Sequence, residues 1–582
     1  MTQMHVIATA GHVDHGKSTL VRALTGSDPD RLEAEHQRGL TIELGYCWTE
    51  LGDAGTTAFV DVPGHERFIS TMLAGIGFVP ACLFVVAADD PWMPQAAEHL
   101  AALDALGVEH AVVAVTRTDL ADPSDAIRRT HDELALTSLA DSPIIPVSAV
   151  TGDGMDELRE HLAAMVDGLP QPDPRADVRL WADRRFTIKG AGTVITGTLA
   201  AGTVRVQDEL DTPAGRLRVR GVQALNTDRT SVSGTARVAL NLSGDTESLM
   251  RGDALWTPDV WLTATTADVR LRGGAGPIPA HPVLHIGSAS LTVRARPLGD
   301  RHARLTFDRA LPLRPGDRAI LRDPGDRRLW GIVVLDPLPP DLRRRGAGAA
   351  RAEQLAAMPT QPGLTSEVER RGIVATRLLR QLGIDTGSQG HQTAGYHMSS
   401  AVRDRLRAQA PAIVEAHHDP RDPGMPVDVL ADHLGLPEGE LVHEVVVPPL
   451  VLTQGRVYAD TDTQLPRRIA AALDALDDRF ARSPFDAPTA DDIRDLELSS
   501  KDLGAAARAG RIIVPAPGIV LPADAVERAV DLLQGLPQPF TTSQARQSLG
   551  TSRRVAIPLL DFLDRQRVTK RLPDDRRILR AE

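Results

Sequence analysis

Near its start the chain runs Gly11-His-Val-Asp-His-Gly-Lys-Ser18, the spacing G-x-x-x-x-G-K-[ST]. That spacing holds phosphate: glycines let backbone N–H groups close around the oxygens, a lysine meets the terminal phosphates, and a hydroxyl reaches Mg²⁺. Gly11, His12, Val13, Asp14, His15, Gly16, Lys17, Ser18 and Thr19 are therefore the expected phosphate-binding stretch, with Ser18 on the metal. Lysine occurs only at positions 17, 189, 501 and 570 among 65 Lys and Arg. Arginine has replaced lysine almost everywhere, so the lysine kept at 17 marks a place where a point charge is wanted and a planar guanidinium fits badly.

The loop needs a strand before it and a helix after it. His5 to Ala10 reads as a short buried strand, and Ser18 to Gly26 as a helix start. The 582 residues are too many for one domain. The formal charge is −12, so any nucleic-acid surface must be local. Two cysteines, Cys47 and Cys82, form no metal pattern or disulfide framework and suit a reducing compartment. No leader pattern opens the chain, and no apolar run reaches the ~18 residues of a membrane span. The expectation is a cytoplasmic protein that does not enter membranes.

The inner residues of the loop, G-H-V-D-H-G-K, resemble those of the translational GTPases, and further motifs follow in the order of that family. Arg38-Gly-Leu-Thr-Ile-Glu43 is similar to its first switch, which implies Thr41 on Mg²⁺, sensing the γ-phosphate. Phe59-Val-Asp-Val-Pro-Gly-His-Glu66 is similar to the second switch. The resemblance implies Asp61 on Mg²⁺ through water, the Gly64 N–H at the γ-phosphate, and His65 as the hydrolysis residue, orienting water once the ribosome releases it from the apolar gate Val13 and Leu40. Thr116-Arg-Thr-Asp119 stands where the general pattern is N-K-x-D, and Val147-Ser-Ala-Val150 resembles an S-A-K loop. Thr116, Arg117, Asp119, Ser148 and Ala149 are thus the expected guanine site. Asp119 can accept from guanine N1 and N2, and the Arg117 stem can cover the base. GTP or GDP with Mg²⁺ are the implied cofactors.

After the proline-rich linker Gly168 to Arg175, short alternating runs separated by turns predict small antiparallel barrels. The layout resembles the elongation factors: a GTP-binding α/β P-loop domain over 1–170 and two antiparallel β-barrels over 174–257 and 258–340. Asp183-Arg-Arg-Phe-Thr-Ile-Lys-Gly-Ala-Gly-Thr, with Arg237-Val-Ala-Leu-Asn-Leu, is similar to segments of the selenocysteine-specific elongation factors of SelB type. A selenol is ionised at neutral pH and a serine hydroxyl is not. Arg184 and Arg237, oriented by Asp183, would favour the anion. A salt bridge at the barrel edge explains the same residues without a ligand.

From Leu342 the chain is helix-rich, in blocks of about 60–70 residues that read as a tandem array of winged-helix (α+β) modules. The expected divisions are a linker and first helical region over 341–404, then winged helices over 405–465, 466–525 and 526–582. Residues 551–580 carry nine Lys and Arg against four Asp and Glu, a local positive footprint. Arg553, Arg554, Lys570, Arg571, Arg576 and Arg577 are the expected RNA contacts. The final block resembles the RNA-binding module of SelB-type factors, which grips a hairpin in selenoprotein mRNA. The resemblance implies a monomeric, ribosome-triggered GTPase that delivers selenocysteinyl-tRNA at UGA codons while tethered to that hairpin. Two other readings remain: a general translational GTPase with an RNA-binding tail, and a GTP-sensing nucleic-acid-binding regulator.

Overall fold

The computed structural model describes residues 4–580 apart from 30–40, 42, 53–54, 66–67, 78, 91, 191, 275, 388–391, 418–423, 460–464 and 466. Leu40 of the expected gate therefore lies outside the described residues. The chain forms two compact units, Met1–Glu367 with Ala375–Gly390, and Val368–Val374 with His391–Glu582. No described helix is long and apolar enough to cross a membrane.

The first unit opens with an α/β domain. Its elements are β1 (Met4–Gly11), α1 (Lys17–Thr25), β2 (Gly45–Glu50), β3 (Thr56–Asp61), α2 (Ile69–Ile76), β4 (Ala81–Ala87), α3 (Pro94–Leu106), β5 (His110–Thr116), α4 (Ser124–Leu134), β6 (Ile144–Pro146) and α5 (Met155–Asp167). The sheet order is β2-β3-β1-β4-β5-β6. Only β2 runs antiparallel, against β3. The central strands are buried along nearly their whole length because helices cover both faces, which is why they read as unbroken apolar runs. Two cores result. One gathers Val60, Met72, Phe84 and Leu103; the other gathers Ile7, Leu20, Phe59 and Leu158. The loops at the carboxyl ends of the strands converge where such sheets bind ligands.

Two curled antiparallel half-barrel sheets follow, over residues 179–256 and 263–336. Their strands alternate inward and outward, as Ala236–Ser243 shows residue by residue. The sheets are joined tightly. Arg179 makes two 2.6 Å bonds to Asp317, and the Arg314 guanidinium lies 3.7 Å over the Trp261 ring. The second sheet also meets the α/β domain, with Arg318 donating to the Leu106 carbonyl at 3.0 Å from α3.

The expected 341–404 division does not hold. The helix Ala347–Ala357 packs on the second half-barrel through Leu298, Leu335, Leu355 and Met358. Arg351 is buried there between Asp268 at 2.7 Å and Asp336 at 2.6 Å.

The second unit holds the winged helices. The first module is built on the helix Ser400–Ala416, so the expected boundary at 404/405 cuts its leading helix. Its core joins Leu406, Ala410, Met425, Leu430, Leu441 and Val457, and its wing is the hairpin Leu450–Thr453 with Arg456–Ala459. The second comprises the helices Arg467–Arg482, Ala490–Asp495 and Ser500–Arg508, and a hairpin Ile512–Ala516 with Ile519–Pro522. The third adds a helix Ala525–Gln534 ahead of the expected pair, Thr542–Ser548 and Arg553–Arg565, before its hairpin Thr569–Arg571 with Arg577–Leu579. The expected boundary at 525/526 falls within one residue of the start of the helix Ala525–Gln534. Phe485, Ile519 and Leu521 of the second module share one core with Ala529, Phe540 and Leu559 of the third. A repeat period read from turns cannot show that neighbouring repeats share their apolar residues.

Candidate functional site

The phosphate loop turns where β1 ends. Gly11 has φ 128°, and a Cβ there would lie 2.1 Å from the Val85 carbonyl oxygen, so only glycine lets β1 press against β4 at this point. Its N–H donates to His99 Nδ1 at 3.0 Å. Burial drives the His99 pKa down to about 3, so the ring is neutral and its Nδ1 can accept. Lys17 opens α1, is 3% exposed, and donates to the carbonyls of Gly11 at 3.1 Å and His12 at 2.6 Å. A Cβ on Gly64 would stand 2.6 Å from both Lys17 Nζ and the Val13 nitrogen. The second switch therefore meets the loop backbone to backbone.

Three residues expected on the metal converge from three elements. Ser18 Oγ donates to Asp61 Oδ2 at 2.7 Å and lies 3.1 Å from Thr41 Oγ1. These are hard oxygen donors, the set that suits Mg²⁺. Thr9 donates to Asp61 Oδ1 at 2.7 Å and accepts from Val62 N–H at 3.1 Å, fixing the carboxylate. His65 is half-buried on the loop after β3, its ring centroid 6.1 Å from that of Phe68, and Val13 is half-buried opposite. Asp14 and Thr19 are exposed.

At the end of β5, Thr116 donates to the His15 carbonyl at 2.7 Å and lies 3.2 Å from the Val86 carbonyl. The threonine in the asparagine position thus ties the phosphate loop to β4 and β5. Arg117, at φ 60°, donates to the Asp14 carbonyl and to both Asp89 oxygens at 3.2 Å. Asp119 is exposed and accepts from Ser148 Oγ at 2.7 Å. The same hydroxyl accepts from the N–H of Thr151 at 3.1 Å, and Ala149 follows it in the loop. The residues expected at the base and those expected at the phosphates therefore lie on one edge of the sheet.

In the first half-barrel, Asp183 and Arg237 form a two-pronged pair, with Arg237 Nη2 2.6 Å from Asp183 Oδ1. Thr196 Oγ1 donates to Asp183 at 2.8 Å and accepts from Arg237 at 2.9 Å. The Arg237 guanidinium lies 3.9 Å over the Tyr46 ring, with Arg184 5.4 Å from the same ring. Arg184 donates to the Leu44 carbonyl and pairs with Glu43 at 3.2 Å. Tyr46, Arg184, Phe186, Thr196, Asn226 and Arg237 line a cavity of about 210 Å³. The barrel-edge salt bridge and the pocket are one structure: Asp183 neutralises Arg237 and fixes its plane, while Arg184 is held by the exposed Glu43 and the Leu44 carbonyl.

The wing corrects part of the expected RNA surface. The Arg577 side chain is 4% exposed and is held by Asp561 at 2.6 Å and Asp564 at 2.8 Å. It braces the hairpin against the helix Arg553–Arg565 and faces inward. Arg554 donates to the carbonyls of Ala487 at 2.8 Å and Pro488 at 3.2 Å, which joins the module to its neighbour. Arg571 and Arg576 are exposed in pairs with Asp575 and Asp574. Arg553 and Lys570 are exposed.

Sequence reasoning missed Thr9, Tyr46 and His99. A threonine inside the apolar run of β1 was the one available signal for Thr9, since a hydroxyl buried in a strand needs a partner. Nothing local marks Tyr46 or His99.

A nucleotide-binding α/β domain joined to two half-barrels and a helical tail defines a GTPase of translation-factor architecture. Residues 2–168 match the family described as elongation factor Tu GTP binding domain, and 531–578 match elongation factor SelB, winged helix. A selenocysteine-specific elongation factor of Desulfomicrobium baculatum is 29% identical across 98% of this chain and 99% of its own. One from Escherichia coli (strain K12) is 40% identical across 57% of this chain and 56% of its own. The crystal structure of a bacterial selenocysteine-specific elongation factor, EF-Sec, shares the fold over 99% of this chain and 100% of its own, with a TM-score of 0.75 at 22% identity. The chain belongs to the translational GTPases and, within them, to the SelB type.

Proposed function

We propose that this GTPase carries selenocysteinyl-tRNA to the ribosome and is held by an mRNA hairpin while it does so. The observation that carries the reading is the Asp183–Arg237–Tyr46 arrangement with Arg184 at its rim. A selenolate entering the cavity meets Arg184, whose present partners are an exposed carboxylate and a carbonyl. A seryl hydroxyl offers no charge to exchange for them, so the pocket discriminates by ionisation. Arg237 is already matched by Asp183 and acts as a rigid wall.

At the nucleotide, Lys17 and the loop N–H groups hold the phosphates, and Asp119, oriented by Ser148, accepts from guanine. Arg117 and Ala149 complete the base site. Ser18, Thr41 and Asp61 would hold Mg²⁺, which would offset the charge of the phosphates. Thr41 then reports the γ-phosphate, and His65 orients the attacking water when the ribosome presents it. The exposed cations Arg553, Lys570, Arg571 and Arg576 contact the hairpin phosphates. The protein works as a monomer in the cytoplasm.

The test is protection of the aminoacyl ester. With GTP, the protein should slow hydrolysis of selenocysteinyl-tRNA and leave the seryl form unprotected. Equal protection of both would make it a general carrier, and protection of neither would remove the tRNA from the reading.

A further inference from the structure

The phosphate loop contains two histidines that phosphate does not need. His12 and His15 converge on Asp90, in the segment after β4, with one donor atom from each within 4.8 Å of the others. Among the described residues this is the one such group of three. We propose that His12, His15 and Asp90 form a binding site for a divalent transition metal of the zinc class, beside the Mg²⁺ site and separate from it.

The distances favour it. His15 Nε2 lies 3.3 Å from Asp90 Oδ2, and His12 Nδ1 lies 3.9 Å from the same oxygen. Tetrahedral bonds of about 2.0–2.1 Å place ligand atoms about 3.4 Å apart. The His15–Asp90 pair already stands at that separation, and His12 moves inward to close the cluster around an ion.

The hydrogen-bond accounting favours it too. His15 is fully buried and His12 is 6% exposed, yet His12 Nδ1 and His15 Nε2 have no hydrogen-bond partner. His15 Nδ1 lies 3.4 Å from the Val85 carbonyl. If Nδ1 carries the proton and donates there, the Nε2 lone pair is left 3.3 Å from an anionic carboxylate oxygen. If Nε2 carries it, the Nδ1 lone pair points at a carbonyl. Either neutral tautomer leaves one repulsive end. A metal at Nε2 removes the conflict. It also gives the arrangement that ligating histidines commonly adopt, with the far N–H on a carbonyl.

Imidazole nitrogens with one carboxylate select zinc-like ions over Mg²⁺, whose preferred donors are oxygen. The Asp90 side chain is 29% exposed, which leaves an entry path and a fourth position for water. The Lys17 charge opposes the ion, and Asp14 assists it along with Asp90. The His12 carbonyl holds Lys17 at 2.6 Å, so an ion here would stiffen the turn that presents the lysine.

Co²⁺ is the probe, titrated into the full-length protein with GDP and excess Mg²⁺. One equivalent should give the intense visible absorption of a tetrahedral centre and should be displaced by Zn²⁺. D90N and H12Q should each weaken Co²⁺ binding by at least about tenfold, while D89N, whose carboxylate faces Arg117, should retain it. Circular dichroism melting reports whether each variant folds, and either one alone decides the matter. A weak octahedral spectrum abolished by Mg²⁺, no spectrum at all, or tetrahedral absorption unchanged in a folded D90N or H12Q would overturn the site.

Discussion

The phosphate loop and the barrel cleft each bury a cation, and they treat it in opposite ways. Lys17 is satisfied by the carbonyls of Gly11 and His12, which carry no formal charge, so its positive charge persists for the nucleotide. Arg237 is satisfied by a carboxylate, and Thr196 completes the network, so its charge is already spent within the protein. A buried ammonium held by backbone carbonyls keeps its full charge at a place where an anion can meet it. A paired guanidinium is geometry: it fixes a plane against Tyr46 and leaves the electrostatic choice to Arg184.

The largest effect expected from this contrast is at Lys17. K17A should lower GDP affinity about a thousandfold, since two charge-assisted contacts to phosphate contribute about 4 kcal/mol together. Titration with a fluorescent GDP analogue measures it. Thermal stability should change little, because the loop stays anchored through the Gly11 N–H and the Thr116 hydroxyl. If K17A melted well below the parent with nucleotide absent, Lys17 would be structural and the contrast with Arg237 would fail.

The local parts of this architecture were legible and the cross-chain parts were not. A glycine spacing, a lysine kept where arginine is the rule and a strand of unbroken apolar residues are properties of neighbours in sequence. They pointed to the phosphate loop, whereas the two switches and the base loop were read from a resemblance to the translational GTPases. Thr9 meets Asp61 across 52 positions, and Gly11 meets His99 across 88. Arg184 reaches Leu44 across 140. Only the fold creates those pairs. The wing shows the same limit in another form. Counting charges over 551–580 gave the correct sign for the surface, yet a count cannot tell the inward Arg577 from the outward Arg553.

That difference sets the next effect. R577A should destabilise the C-terminal module by about 2 kcal/mol, because it removes the buried guanidinium that ties the wing to the helix and leaves the partly buried Asp564 without its cation. R553A should leave stability unchanged and weaken hairpin RNA binding with a smaller salt slope. Chemical denaturation and RNA titration at two salt concentrations separate the two roles. Equal loss of stability in both variants would erase the inward–outward distinction.

At the cleft, R184A should reduce the preference for selenocysteinyl over seryl esters by about tenfold or more, the loss of one charge-assisted contact of about 1.5–3 kcal/mol. The preference is read from the two rates of ester hydrolysis under GTP. R237A should act differently, lowering stability as well, because Asp183 would remain buried without its partner. If R237A abolished discrimination in a protein of unchanged stability, the charge of Arg237 would be the reader and Asp183 merely its tether.

The smallest effect returns to the nucleotide end, where the departure from asparagine at position 116 could be either a weakness or a replacement. The Thr116 hydroxyl lies 2.7 Å from the His15 carbonyl and 3.2 Å from that of Val86, and no contact of it with a base is needed to explain its burial. T116V keeps the volume and β-branching and removes only the hydroxyl. Two carbonyls then share one lost donor, at a cost of about 1 kcal/mol. GDP affinity should fall about fivefold, through a faster off-rate, because the loop loses its tie to the sheet while Lys17 and Asp119 keep their partners. T116N would restore a donor at the same place and should bring the affinity back, which a mere packing role for the threonine would not allow.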